Sequence, residues 1–119
     1  IEIDNFKARK KKHGKKACVV ALRKLATFLR EQSVQRGTFI ARYGKATFAI
    51  VTECSEFAEI EAFANKLIAA SASSTELLQG PWPITFSIHW SEYGTSETRT
   101  IDTFLDKAES NCIKPATPL

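Results

Sequence analysis

At 119 residues and 44% hydrophobic content, the chain has the length of one ordinary domain and enough apolar side chains for a core of its own. Its net charge of +4 is a local feature: Lys7, Arg9, Lys10, Lys11, Lys12, Lys15 and Lys16 stand together without an acid, and outside them 10 basic residues face 13 acidic ones. No apolar run approaches the roughly eighteen residues of a membrane span, and Cys18, Cys54 and Cys112 are odd in number and lack any CxxC or Cys/His spacing, which argues against structural zinc and for free thiols in a reducing, cytoplasmic setting.

Ile1 to Phe6 opens with the alternation of a strand, Ile1 and Ile3 on one face, Glu2 and Asp4 on the other. Two acids on one face read either as a solvated sheet surface or as part of a divalent-metal site. The second reading needs a partner acid from another element, so the first is preferred. The start is apolar and acidic, unlike a signal peptide, and the chain is expected to be a piece of a longer protein. The basic run around Gly14 reads as a loop and helix start. It could bind a polyanion through counterion release or simply be solvated, and solvation is the simpler reading. From about Lys15 to Glu31, Cys18, Leu22, Leu25 and Leu29 recur at helical steps, with Ala21 and Phe28 widening the stripe.

Two β-branched and aromatic runs follow, Thr38 to Ala41 and Phe48 to Thr52, with Gly44-Lys45 between them as a two-residue hairpin turn in which Gly44 takes positive φ. Ser55 is the expected N-cap of the next helix, Glu56 and Glu59 suit its first turn, and Ile60, Ala64, Leu67 and Ile68 give its apolar face before it fades in Ser71 to Ser74. Ile84 to Trp90 alternates as a strand. A last helix capped by Thr100 is expected to turn Ile101, Phe104 or Leu105, Ala108 and Cys112 inward. The order β-α-β-β-α-β-α contains the split βαβ arrangement. The expected fold is therefore an α+β sandwich of the ferredoxin-like or nucleotidyl-cyclase-like βαββαβ type, with helices on a mainly antiparallel sheet.

That order, with Ile3-Asp4-Asn5-Phe6-Lys7 and Arg42-Tyr43-Gly44-x-x-x-Phe48, resembles the GGDEF domains of diguanylate cyclases. Gly14 stands at the Gly of that family's Asn-Asp-x-x-Gly-His segment, Ile84 to Ile88 is similar to its Thr-x-Ser-Ile-Gly strand, and Asp106-Lys107-Ala108 to the start of its last helix. The resemblance covers residues 1–119 as a single domain, without the family's front Leu-Thr-Gly-Leu-x-Asn-Arg segment or its Gly-Arg-Asn end. It implies the condensation of two GTP into cyclic di-GMP across a homodimer, with two divalent metals clamping the phosphates of each GTP.

The departures from the family pattern are concentrated in the chemistry. The signature pentad becomes Gly44, Lys45, Ala46, Thr47 and Phe48, so the metal-binding acid falls on Ala46, the next acid on Thr47 and the second Gly on Lys45. The metal-ligating strand position holds Glu2. The guanine-reading positions fall on Lys10 and Val19, the product-inhibition Arg and Asp on Gln35 and Thr38, a phosphate-binding Lys near Ala116, and the Gly of the fourth strand on His89. Lys7 is kept as a residual phosphate contact. The expectation is a catalytically inactive, degenerate GGDEF domain that binds neither Mg2+ nor GTP productively, with no metal site. It would act as a regulatory module whose interaction surface includes Lys45, Glu2 and Asp4. The expected partner is a neighbouring EAL-type or sensor domain, or a signalling protein, with no specific nucleic acid and no membrane contact. The alternatives are a residual cyclase, or a polyanion- or nucleic-acid-binding module. RNA-recognition modules share the βαββαβ order, but only Phe48 approaches their aromatic positions. His13 and His89 lack a second ligand at metal spacing, and Trp82 and Trp90 read as packing residues.

Overall fold

In the computed structural model, which describes residues 1–33, 38–52, 57–80, 82–91 and 112–113, the opening segment is a strand only at Glu2–Ile3 (β1). Asn5 ends it by adopting a left-handed conformation (φ 56°), which Asn tolerates better than most residues, and helix α1 (Phe6–His13) starts directly after it. Gly14 then sits at φ 88°, ψ 171°, a region essentially reserved for glycine, and divides α1 from α2 (Lys15–Ser33). The basic run, expected as a loop and helix start, is thus nearly all helical. The stripe read on the second helix holds: Cys18, Ala21, Leu22, Leu25, Phe28 and Leu29 are all buried.

Strands β2 (Phe39–Arg42) and β3 (Phe48–Val51) pair antiparallel from Phe39↔Val51 to Arg42↔Phe48. Helix α3 (Phe57–Ala72) buries Phe63, Ala64 and Leu67, with Ile60 and Ile68 packed against the same core. As read from the sequence, α3 ends within the cluster from Ser71 to Ser74, but helix resumes directly after it. Ser74 Oγ accepts from Leu77 N at 3.3 Å and caps a further short helix, α4 (Thr75–Leu78), which the periodicity was too brief to reveal. Strand β4 (Phe86–His89) begins two residues later than the alternation suggested, because Ile84 N donates to Leu77 O (2.8 Å) instead of to a neighbouring strand. Cys112 is not on a helix: Cys112–Ile113 forms β5, paired antiparallel with β4 at Ile88↔Ile113 and His89↔Cys112. Helical and strand patterns cannot be separated over so short an apolar run. The remainder of the expected last helix, Ser55, Glu56, Gln35 and Ala116 lie outside the described residues.

β1 is antiparallel to β4 on one side. On the other it meets the hairpin through the antiparallel bridge Glu2↔Thr47, with Ile3 N donating to Ala46 O (3.0 Å) and Phe48 N to Ile1 O (2.8 Å). The strand order is therefore β2-β3-β1-β4-β5. Strand residues of one parity, Ile3, Phe48, Phe86 and Ile88, join α2, α3, Leu77 of α4 and Trp82 in one core, with Phe28 and Phe86 in tilted ring contact at 6.1 Å. Mixed helices and small antiparallel sheets around this core make an α+β fold. Among the described residues no helix is long and apolar enough to cross a membrane.

Candidate functional site

Because β1 lies between β3 and β4, the bridge sets Glu2 opposite Thr47 and opposite Ser87 of β4. The hairpin tip therefore stands over the end of β1, where the sequence pattern places the chemistry. The tip itself is not the two-residue turn expected. Five residues, 43 to 47, separate the last paired residues, and Gly44 is not left-handed. The loop closes by other means. Tyr43 N (2.8 Å) and Gly44 N (3.3 Å) both donate to Thr47 O, and the Arg42 guanidinium donates from Nε to Gly44 O (3.0 Å) and from Nη2 to Lys45 O (2.9 Å). A side chain that satisfies two loop carbonyls replaces the backbone geometry a tight turn would need.

Within this frame Gly44 and Lys45 are exposed, Ala46 is half-buried against the core, Thr47 is half-buried and Phe48 is buried. Glu2 is exposed beside Thr47. Asp4 lies just past the end of β1 but stays on the face of Glu2, since it reaches the side chain of Ser87, the residue paired with Glu2. Its carboxylate accepts from Thr85 Oγ1 (2.9 Å) and Ser87 Oγ (2.7 Å), and its N–H donates to Thr85 O (3.0 Å). Lys7 is exposed on α1, as is Lys10, and Val19 is exposed on α2. Thr38 donates from Oγ1 to Ser33 O at 3.3 Å. Among the described residues no three His, Cys, Asp or Glu side chains gather at metal-binding distance. The two divalent metals that the family's chemistry implies need several hard oxygen ligands. Position 46 offers a methyl, position 47 a hydroxyl, and Asp4 is committed to two hydroxyl donors, so the residues present do not fit a two-metal centre.

One feature of the hairpin was not singled out from sequence. Its core-facing parity is Ile40, Phe48 and Ile50, whereas the opposite parity is Phe39, Ala41, Tyr43, Ala49 and Val51, and of these Phe39 (67%), Tyr43 (64%) and Val51 (64%) are largely exposed. The signal was available: apart from Arg42 at the end of β2, both parities of both strands are apolar, where a strand with one wet face would alternate. Beneath β2, a cleft of about 500 Å³ is lined by Ala26, Arg30, Ser33, Ile40, Arg42 and Phe48 among others.

A central strand pair joined to an edge hairpin whose tip overhangs the first strand defines a nucleotidyl-cyclase-like α+β domain. The family model described as "Diguanylate cyclase, GGDEF domain" matches residues 1–115, and the chain belongs to that family. No curated protein and no solved structure matches it significantly.

Proposed function

We propose that the chain is a catalytically inactive GGDEF domain that works as a regulatory, protein-binding module in cyclic di-GMP signalling in the cytoplasm. The observation that carries this reading is the pairing of Glu2 with Thr47 at the hairpin tip, next to the methyl of Ala46. Among the described residues that carboxylate belongs to no cluster of acids able to clamp a metal, and Asp4, two residues on, is held by Thr85 and Ser87. Removing one electrostatic stabiliser of a phosphoryl transfer costs about a hundredfold or more in rate, and here the hairpin positions are replaced together. Mg2+ and GTP are accordingly not bound productively. The apolar outer side of the hairpin, with Lys45 at the tip, Glu2 beside it and Asp4 beyond, is the surface we assign to a neighbouring domain of the same protein, EAL-type or sensor, or to a signalling partner. Exposed aromatic and β-branched side chains in one contiguous group mark such contacts more often than isolated ones do.

The test is to incubate purified protein with GTP and Mg2+ or Mn2+ and follow product by chromatography. No cyclic di-GMP above the protein-free control is expected. Turnover that disappears in Glu2→Ala would overturn the reading in favour of a residual cyclase.

A further inference from the structure

The structure gathers six of the seven basic residues from Lys7 to Lys16 into one exposed ridge. Phe6, Arg9 and His13, at helical spacing, are half-buried and face the body of the domain, while Lys7, Lys10, Lys11, Lys12, Lys15 and Lys16 are all exposed. The ridge is anchored at its far end: the His13 ring stacks on that of Trp82, a core residue, with centroids 4.9 Å apart and an interplanar angle of 23°. Gly14 then turns the chain into α2, so Lys15 and Lys16 follow directly on α1.

Two further observations show what the ridge lacks. Neither its six lysines nor Arg9 makes an ion pair among the described residues. Helix α1 has no acid in its first turn and no fully buried residue. Lys7 and Lys11 are an i,i+4 like-charge pair, and Lys7–Lys10 and Arg9–Lys12 are i,i+3 pairs, each of which destabilises a helix. A helix of eight residues is also too short to be stable alone. The fold therefore holds a self-repelling surface in place, and a polyanion bound along it would relieve that repulsion.

The shape and charge density narrow the polyanion. The surface is a convex helix, and none of its residues lines the cleft under β2, so it suits a polymer that lies along it rather than a small anion held in a pocket. The eight residues of α1 span about 12 Å and carry four exposed lysines, one at roughly every 3 Å, with Lys15 and Lys16 following beyond Gly14. Duplex DNA carries one phosphate charge per about 1.7 Å of axis. A bilayer is less well matched, because the only exposed apolar side chain between Lys7 and Lys16 is that of Ala8, and interfacial helices need an apolar face to immerse. We propose that α1 and the first turn of α2 form a sequence-blind docking surface for the phosphate backbone of nucleic acid. Lysines act here as point charges that contact phosphates and read no bases. This assignment does not depend on whether the domain has lost its cyclase chemistry.

The experiment is fluorescence anisotropy of the whole chain with a short labelled duplex and with its scrambled counterpart, titrated between roughly 50 and 200 mM salt. The expected result is equal affinity for both sequences. The log–log salt slope should be about −0.9 for each phosphate neutralised, so that engagement of all six lysines weakens binding about a thousandfold over that range. The triple variant Lys10→Gln, Lys11→Gln, Lys12→Gln should flatten the slope by about 0.9 per lysine while leaving the melting temperature unchanged or higher. Arg23→Gln, an exposed charge elsewhere on α2, should leave the slope as it was. Absence of binding at the lowest salt, a slope indifferent to the triple variant, preference for one sequence, or tighter binding to phosphatidylserine vesicles than to the duplex would each overturn the proposal.

Discussion

The two sides of the β2–β3 hairpin are built from the same kinds of residue and meet opposite surroundings. Phe48 and Phe39 lie on neighbouring antiparallel strands, yet Phe48 is 5% exposed and Phe39 is 67% exposed. Ile40 and Ile50 pack against the core from one side, and Val51 and Tyr43 face outward from the other. Apolar character alone therefore does not tell which side of a strand is core. What separates the sides here is parity relative to Ile3 and Phe86, the strand residues that share the core with α2. The inner side holds the fold together. The outer side buries little, and its exposed apolar group is the surface proposed above for a partner.

The largest effect follows directly. Phe48→Ala removes a buried ring from the core and should cost about 3–5 kcal/mol, whereas Phe39→Ser, on the outer side, should change unfolding free energy by no more than about 0.5 kcal/mol. Urea denaturation of the two variants measures the contrast. Comparable losses would mean that the outer side is also core and would withdraw it as a binding surface. If the contrast holds, Phe39→Ser should still weaken association in the longer protein, read by co-purification of the neighbouring domain expressed separately.

A smaller effect tests the other end of the same sheet. Asp4→Ala deprives Thr85 and the buried Ser87 of their common acceptor, and an orphaned buried hydroxyl costs about 1–3 kcal/mol. Asp4→Asn, which keeps a carbonyl oxygen, should recover part of that loss in the same denaturation experiment. Equal stability of Asp4→Ala and the parent would show that water serves both hydroxyls just as well. Asp4 also shows where the sequence stops being legible. Glu2 and Asp4 have the spacing of one strand face and keep to it, but the partners that Asp4 meets there lie 81 and 83 positions away. No local pattern encodes such a contact. The helical stripe of α2, the hairpin strands and the alternation through Phe86 and Ile88 were legible because each follows from period and burial within a dozen residues. The candidate site divides in the same way. The residue identities at positions 2, 46 and 47 were readable as departures from the family pattern, while the form of the loop that carries Ala46 and Thr47 was not, since it depends on where the Arg42 guanidinium folds back.

That loop gives the smallest and sharpest prediction. A two-residue turn with Gly44 at positive φ would make any side chain there costly, because a left-handed residue with a Cβ is strained. The observed loop makes no such demand. Gly44 lies outside the left-handed region, and a Cβ added to it would meet only Thr47 Cβ and Oγ1, each at 3.9 Å, an ordinary van der Waals distance. The conformational work is done by Arg42, which holds the carbonyls of Gly44 and Lys45. Gly44→Ala should therefore be neutral or stabilise the domain by up to about 0.5–1 kcal/mol, since replacing glycine at a compatible position reduces the freedom of the unfolded chain. Gly14 is the internal contrast: a Cβ there would meet nothing within 4 Å, but its φ of +88° strains any replacement. A destabilisation of more than about 1 kcal/mol in Gly44→Ala, measured by thermal melting against the parent, would restore the tight turn and reassign the Arg42 hydrogen bonds from closing the loop to decorating it.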